Sequence, residues 1–359
     1  MSFRLVISGV GAVSSVGAGA LQTCASIRAG LSGLREHPDF YPQPPNPVIE
    51  PPERVSAGLV PLGLSLAARR ERMLELAARA AHELITLAPM ARGETERTEL
   101  VLCVASAAQG GFDAAEASEL TSALGQRLGL QLERPLRTIS QGATGVLRAV
   151  GEARTRIAAG EVARVIVVGV ESWVTLDALA ALDEARRLRS ARILDGLIAA
   201  EAAACVLLEN AENAQARGRT ALAEFASVGF GREPNTLEGE LNSSGVGLTE
   251  AVRAATRSFG RSNWPWLLSD MTGESYGAYE LGLLRARLGE QLGSTEVWHP
   301  ADCTGAAGTG SAALGLVIAA RALADGYAPA DRVLLCVGAQ GEERAAGTLL
   351  ACTQPGRRE

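Results

Sequence analysis

Residues 156–169 read RIAAGEVARVIVVG, the pattern of a helix end followed by a buried strand. Gly160 stands where a helix commonly ends in a left-handed residue. The continuous apolar run after Arg164 is typical of a strand that is covered on both faces. Residues 321–338, RALADGYAPADRVLLCVG, repeat the same order of helix end, glycine, turn, arginine, apolar run and glycine. The two stretches together predict a duplicated α/β unit.

The rest of the chain also alternates short apolar runs with long alanine-rich stretches, which indicates an α/β fold with covered sheets. The predicted strands are residues 5–9, 100–105, 136–140, 164–169, 203–209, 222–229, 266–270, 296–299, 332–338 and 348–352. The predicted helices are residues 20–29, 64–88, 118–128, 142–159, 248–259, 279–288 and 309–324. Residues 38–61 are rich in proline and are expected to form an irregular excursion. We place the boundary between the two halves between residues 215 and 216.

Composition excludes several classes of protein. The chain has 359 residues, of which 47% are hydrophobic, and this content excludes intrinsic disorder. A net charge of −6 and 4% aromatic residues argue against nucleic-acid binding. No apolar run reaches the roughly 18 residues that a membrane-spanning helix needs, so we expect a cytoplasmic protein with no membrane contact. The six cysteines form no CxxC pair, and we expect neither a metal site nor a cofactor.

The chain contains no lysine, and all 34 residues in its lysine-plus-arginine total are arginines. This excludes every mechanism that needs a lysine, including a Schiff base and a phosphate-binding loop lysine. The opening glycines Gly9 and Gly11 do not complete a dinucleotide-binding fingerprint, since Ser14 stands where the third glycine would be.

Seven short motifs in order resemble the ketosynthase branch of the thiolase-like family, the β-ketoacyl-carrier-protein synthases. The motifs lie at residues 9–17 with 27–33, 72–81, 105–111, 138–145, 167–171, 201–209 and 305–308. The resemblance spans almost the whole chain. It implies a thiolase-like layered fold (α-β-α-β-α) built from two duplicated α/β halves. It also implies a homodimer, or a heterodimer with a ketosynthase, that pairs through the strand before Gly142.

The resemblance implies a catalytic set of one cysteine at a helix N-terminus, two histidines and a lysine. In this chain the position of the cysteine is occupied by Gly142, which has no side chain to acylate. Asp270 or Ser269 stands where the first histidine belongs, and Asp302 stands where the second belongs. Because all four parts are absent, we expect no Claisen condensation.

Other polar residues near these motifs are candidates for a site. Ser140 and Gln141 flank Gly142 on the turn that would carry the nucleophile. Cys303 with His299 is either a relocated nucleophile at the start of the helix near Thr309, or a buried filler beside a backbone-bonded histidine. Asp270 and Glu274 either do acid–base work in a cleft or cap the following helix.

The densest basic patch consists of Arg186, Arg187, Arg189 and Arg192. It is either a solvated helix face paired with Asp183 and Glu184, or a docking site for an acidic acyl carrier protein or its phosphopantetheine phosphate.

Three functions stay open from the sequence. The first is a non-condensing partner subunit, similar to a chain-length factor, or an acyl-carrier binder in fatty acid or polyketide-type metabolism. The second is an enzyme of altered chemistry, namely an acyltransferase, thioesterase or decarboxylase that uses Cys303 with His299 or Asp270 with Glu274. The third is an interaction protein whose pocket is filled by side chains.

Overall fold

The computed structural model of the chain describes residues 3–42, 53–90, 97–129, 136–338 and 340–352. The strands are β1 (Leu5–Val13), β2 (Arg35–Glu36), β3 (Ser56–Ala57), β4 (Thr98–Val104), β5 (Arg137–Ser140), β6 (Arg164–Ser172), β7 (Glu201–Asn210), β8 (Ala223–Arg232), β9 (Trp266–Ser269), β10 (Glu296–Trp298), β11 (Arg332–Gly338) and β12 (Glu343–Leu350). The helices are α1 (Ala20–Arg28), α2 (Arg69–Leu87), α3 (Ala114–Leu128), α4 (Gly142–Ala158), α5 (Leu176–Glu184), α6 (Ala211–Ala216), α7 (Val246–Thr256), α8 (Ser275–Arg287), α9 (Gly289–Leu292), α10 (Ala301–Thr304) and α11 (Gly308–Asp325). None of these helices is long and apolar enough to cross a bilayer.

The two halves share one strand order. Ten strands lie in the order β10-β9-β11-β12-β8-β1-β7-β6-β4-β5. We number the five strands of each half along the chain, leaving out β2 and β3, which form a separate sheet. From the outer edge inward, both halves then have the strand order third, second, fourth, fifth, first. The pairing directions also agree, since β4 is parallel to β5 and β6 just as β9 is parallel to β10 and β11. The predicted α/β duplication is therefore present in the topology.

The two five-stranded sets touch only briefly. β1 pairs with β8 through Val6 opposite Glu224 and Ile7 opposite Ala223. Elsewhere the two halves are joined by α4 and α11, which pack against each other and against strands of both halves. These contacts place α4 and α11 in a central layer.

Alternation along β4 shows how both faces of the sheet are covered. Leu100 and Leu102 belong to the apolar cluster under α2 and α3, whereas Val101 and Cys103 belong to the central cluster around α4 and α11. In the second half, α7 and α8 cover the outer face in the same way. The result is the predicted layered arrangement, α-β-α-β-α.

Gly9 and Gly11, near the start of the chain, allow α2 to pack closely against β1. Both lie inside β1, and a Cβ atom on Gly11 would stand 2.0 Å from the carbonyl oxygen of Ala80 in α2. A side chain at Gly11 would therefore force the helix off the strand. This packing agrees with the absence of a dinucleotide-binding turn.

Several predicted boundaries were wrong. α2 begins at Arg69 rather than at residue 64, because Ser65 takes part in a turn in which its carbonyl accepts a bond from the N–H of Ala68. α5 was not predicted. β12 begins at Glu343, five residues before the predicted start, because its small residues pair with β11 and β8 on either side. Part of the proline-rich excursion, residues 43–52, lies outside the described residues.

Candidate functional site

A cavity of about 980 Å³, part of which is open to solvent, lies where α4 and α11 begin. Gly142, the first residue of α4, and Gly308, the first residue of α11, both line it. The ends of β9 and β11 complete the wall through Asp270 and Gly338. Two helix N-termini therefore face one cavity, which favours a ligand that bears negative charge or a polarised carbonyl oxygen.

Gly142 forms the turn between β5 and α4 with a left-handed backbone, φ +62°. A Cβ atom there would point at the amide of Gln109, 3.0 Å from its Oε1 atom. The position therefore has the backbone of a nucleophile turn, while the Gln109 side chain occupies the adjacent space. Ser140 and Gln141, which were predicted to line the pocket, do not line this cavity.

Asp270 is a cavity carboxyl group whose ionisation is perturbed by burial. It follows β9, and both of its oxygens accept the backbone N–H of Gly338, at 3.1 and 3.0 Å. Burial raises the pKa of Asp270 to about 7, although the Gly338 N–H and the nearby Arg344 favour the charged form. A carboxyl group of this kind can both donate and accept a proton near neutral pH.

Glu274 is held in an ion pair instead. Arg187 donates to both of its oxygens, with Nε 2.8 Å from Oε1 and Nη2 2.9 Å from Oε2. The hydroxyl of Thr272 donates to Oε2 as well, at 3.0 Å. Asp270 and Glu274 both line the cavity, as predicted. Glu274 also stands at the N-cap position of α8, but its side chain makes no capping bond and pairs with Arg187 instead, while the oxygens of Asp270 bond Gly338.

A buried network under the cavity was missed by the sequence reasoning. The Nε atom of Arg344 donates to both oxygens of Glu280, at 2.9 and 3.0 Å, and its Nη2 donates to the hydroxyl of Tyr276 at 2.8 Å. Ser243 also donates to Glu280, at 2.8 Å. The one available signal was Arg344 before the small and apolar residues of β12, and it did not reveal the partners.

The remaining second-half candidates lie away from the cavity. His299 Nδ1 lies 3.0 Å from Asp302 Oδ2 on an exposed turn. Cys303 belongs to the short helix α10, and neither it nor His299 lines the cavity. Burial, with a contribution from Asp302, raises the pKa of the Cys303 thiol. The placement of Cys303 at the start of the Thr309 helix was therefore wrong, and a raised pKa opposes a nucleophilic role.

The arginine patch is not a helix face, because α5 ends at Glu184. Arg186 lies in the following turn with φ 56°, and Arg192 pairs with Asp183 at 3.2 Å. Arg189 is exposed and donates to the carbonyl of Leu194. Arg187 alone turns inward to the cavity and Glu274. Among the described residues, no group of three His, Cys, Asp or Glu side chains is arranged to hold a metal ion.

No protein-family model matches the sequence, and no curated protein matches it either. Solved structures do match. An acyl-carrier protein complex of a type II polyketide synthase with its ketosynthase bound to the hexaketide gives a TM-score of 0.80 at 16% identity, covering 98% of this chain and 100% of that one. The ishigamide ketosynthase/chain length factor gives 0.77 at 18% identity, with the same coverage of both chains.

A third similar structure is the ketosynthase from module 6 of the bacillaene synthase from Bacillus subtilis 168. Its TM-score is 0.79 at 12% identity, and the match covers 98% of this chain and 72% of that one. The chain therefore has the same fold as these ketosynthases. At these identities the likeness establishes the fold and not the chemistry.

Proposed function

We propose that this protein is a ketosynthase-like subunit that binds acyl groups without condensing them and works as the partner of a ketosynthase. The observation that carries the proposal is Gly142. The turn, the helix N-terminus and the cavity are present, but the position that should hold the acyl group covalently has no side chain. A thioester cannot form at a glycine.

The cysteines support this proposal. Cys336 is the one cysteine among the described residues that line the cavity, and burial raises its pKa far above the ordinary value. A thiol of this kind is inert at neutral pH, because the thiolate is the nucleophile. Asp270 faces the cavity where the resemblance implies a histidine, and it offers no imidazole to assist condensation.

The edge of the sheet supports a partner role. β5 is the last strand of its half, and within the described residues it pairs on one side only, with β4. An edge strand that continues directly into the cavity turn gives a second subunit access to the site. A homodimer and a heterodimer both use such an edge, and we favour a heterodimer because Gly142 lacks chemistry of its own.

The open cavity argues against the third function from the sequence. A pocket filled by side chains would leave no space for a ligand, whereas this cavity is partly open to solvent between the N-termini of α4 and α11. Arg186 and Arg189 are exposed on one loop, and we propose this loop as the docking site for an acidic carrier protein.

The covalent part of the proposal is tested by acyl transfer. The wild-type protein and the Gly142→Cys variant are incubated with an octanoyl thioester and digested, and the peptides are weighed. We expect no acylated peptide from the wild type and an acylated peptide spanning residue 142 from the variant. An acyl adduct on any cavity residue of the wild type would overturn the non-condensing interpretation.

The partner part is tested by purification from the source cell at native abundance. We expect a ketosynthase to co-purify in a ratio close to one to one. A protein that elutes alone, with neither a ketosynthase nor a carrier protein bound, would contradict the partner role.

A second candidate function rests on Asp270. Its raised pKa inside a cavity suits general acid–base chemistry on a bound acyl group, such as decarboxylation or thioester hydrolysis. The test compares the wild type with Asp270→Asn on malonyl and acyl thioesters. Turnover in the wild type that falls at least about a hundredfold in the variant would favour this function, in line with the usual size of acid–base effects.

A further inference from the structure

Two fully buried polar side chains line the cavity, and each has one oxygen atom without a partner in the described chain. Thr309 is 1% exposed and Glu171 is 0% exposed. The Oγ1 atom of Thr309 and the Oε2 atom of Glu171 have no hydrogen-bond partner among the described residues, and both residues line the cavity. Buried polar groups are nearly always satisfied, and at a cavity wall a bound ligand can supply the missing partner.

The fold brings the strand that carries Glu171 against the helix turn that carries Thr309. Gly169, Glu171 and Trp173 alternate along β6 and its continuation, so they face the same side. A Cβ atom on Gly169 would lie 2.9 Å from the carbonyl oxygen of Thr309, and one on Gly308 would lie 2.8 Å from the ring of Trp173. Glu171 therefore lies between two points at which β6 contacts the first turn of α11.

The charge of Glu171 is already balanced. Its Oε1 atom accepts a bond from Arg69 at 2.7 Å and another from the backbone N–H of Ser172 at 2.9 Å. The ion pair has no net charge, so the remaining oxygen does not require a cation. It requires a hydrogen-bond donor, which a neutral group can supply.

The hydroxyl of Thr309 can donate as well as accept, and the two side chains do not bond each other. An alcohol group bound at this wall of the cavity can donate to Glu171 and accept from Thr309. A saturated acyl chain would leave both atoms unsatisfied, which weakens its binding. A ketone would satisfy Thr309 and leave Glu171 without a donor.

We propose that the cavity selects an acyl chain that carries a hydroxyl group, and that Glu171 and Thr309 form the subsite for this hydroxyl. The inference deepens the proposed function and rests on its claim that the cavity binds acyl groups. The subsite lies on the wall formed by β6 and α11, and it is distinct from the Gly142 turn and from Asp270.

The test measures binding by calorimetry with octanoyl thioesters of N-acetylcysteamine. The probes carry no hydroxyl group, or one hydroxyl group at carbon 3, 5 or 7. We expect at least one hydroxylated probe to bind about tenfold or more tightly than the plain probe, the usual value of a hydrogen bond to a charged group. Equal affinity for all four probes would overturn the hydroxyl subsite and leave the proposed function intact. Failure of all four to bind would overturn both.

Variants locate the subsite. Glu171→Gln and Thr309→Val should each remove most of the hydroxyl preference while the plain probe binds as before. Thr175→Val is the matched control, because Thr175 is 1% exposed and its hydroxyl also lacks a partner in the described chain, but it does not line the cavity. If the hydroxyl preference survives in both cavity variants, or is lost in the control as well, the assignment is wrong. The wild-type comparison of the four probes holds even if a variant does not fold.

Discussion

Asp270 and Glu274 show how two carboxyl groups four residues apart can meet very different neighbours in one cavity. Glu274 has a guanidinium on both of its oxygens, so its charge is neutralised where it lies. Asp270 has backbone N–H donors and a more distant arginine, which do not offset the cost of its burial. The sequence names both residues but cannot distinguish them, because the partners come from other parts of the chain.

The raised pKa of Asp270 makes stability depend on pH. Its pKa is about 7 in the folded protein. An ordinary aspartate in the unfolded chain has a pKa near 4. The folded state thus holds the proton more tightly, and this contribution is complete below pH 4 and is lost as the pH rises through 7. Between pH 5 and 8 we expect the wild type to lose about 2.5 kcal/mol relative to Asp270→Asn.

Urea unfolding of both proteins at several pH values between 5 and 8 measures this difference. A difference in stability that stays constant across the range would contradict the raised pKa of Asp270.

The ion pair between Arg187 and Glu274 should couple strongly, since their side chains are only 15% and 10% exposed. A double-mutant cycle with Arg187→Gln and Glu274→Gln is expected to give a coupling energy of about 1–3 kcal/mol in unfolding experiments. The exposed pair Arg70 and Glu119 is the control, and it should couple by less than about 1 kcal/mol. Equal coupling in the two pairs would show that the cavity pair is solvated.

Part of the site could be predicted from sequence. Gly142, Asp270 and Glu274 were found because they occupy motif positions, and all three line the cavity. Arg187 and Glu171 could not be assigned, since the ion pair of the first spans 87 residues and the pairing of the second with Arg69 spans 102. Thr309 was noted only as a helix start, because a missing hydrogen-bond partner is a property of the folded chain.

At the scale of elements, small residues set how closely layers approach. In β1, Gly11 lies against the backbone of α2, where a Cβ atom would meet the Ala80 oxygen at 2.0 Å. Hydrophobic patterning predicted strands and helices well where the runs were long and β-branched. It failed at β12, whose alanines and glycine show no strand pattern and are held by neighbouring strands.

Gly11→Ala is expected to destabilise the protein by more than about 2 kcal/mol, because the added methyl group overpacks against backbone that cannot yield. Gly282→Ala on α8 is the matched control, since nothing lies within 4 Å of its Cβ position. The control should stabilise by about 0.5–1 kcal/mol through helix propensity. Chemical unfolding curves measure both. A Gly11→Ala variant as stable as the wild type would mean that β1 and α2 can separate freely.

At the scale of the whole molecule, the two halves share one core. The central apolar cluster takes residues from β6 and α4 of the first half and from α11 and β11 of the second half. The division between residues 215 and 216 stays a prediction of where one structural repeat ends. The repeat itself was visible in the sequence because both copies keep the same helix-end and strand pattern.

A shared core should make unfolding cooperative. Differential scanning calorimetry is expected to show one transition, with a van't Hoff enthalpy equal to the calorimetric enthalpy of the unit that unfolds. Fluorescence and far-UV circular dichroism should give the same midpoint. Two separate transitions would show that each half is stable without the central layer.

The left-handed turn at Gly142 has a practical consequence for protein engineering. A Cβ atom at residue 142 would meet the Gln109 amide at 3.0 Å, and the left-handed backbone there disfavours any residue with a side chain. A designer who wants to install a synthetic warhead, a spectroscopic label or an artificial catalyst at that spot must therefore shorten Gln109 in the same variant.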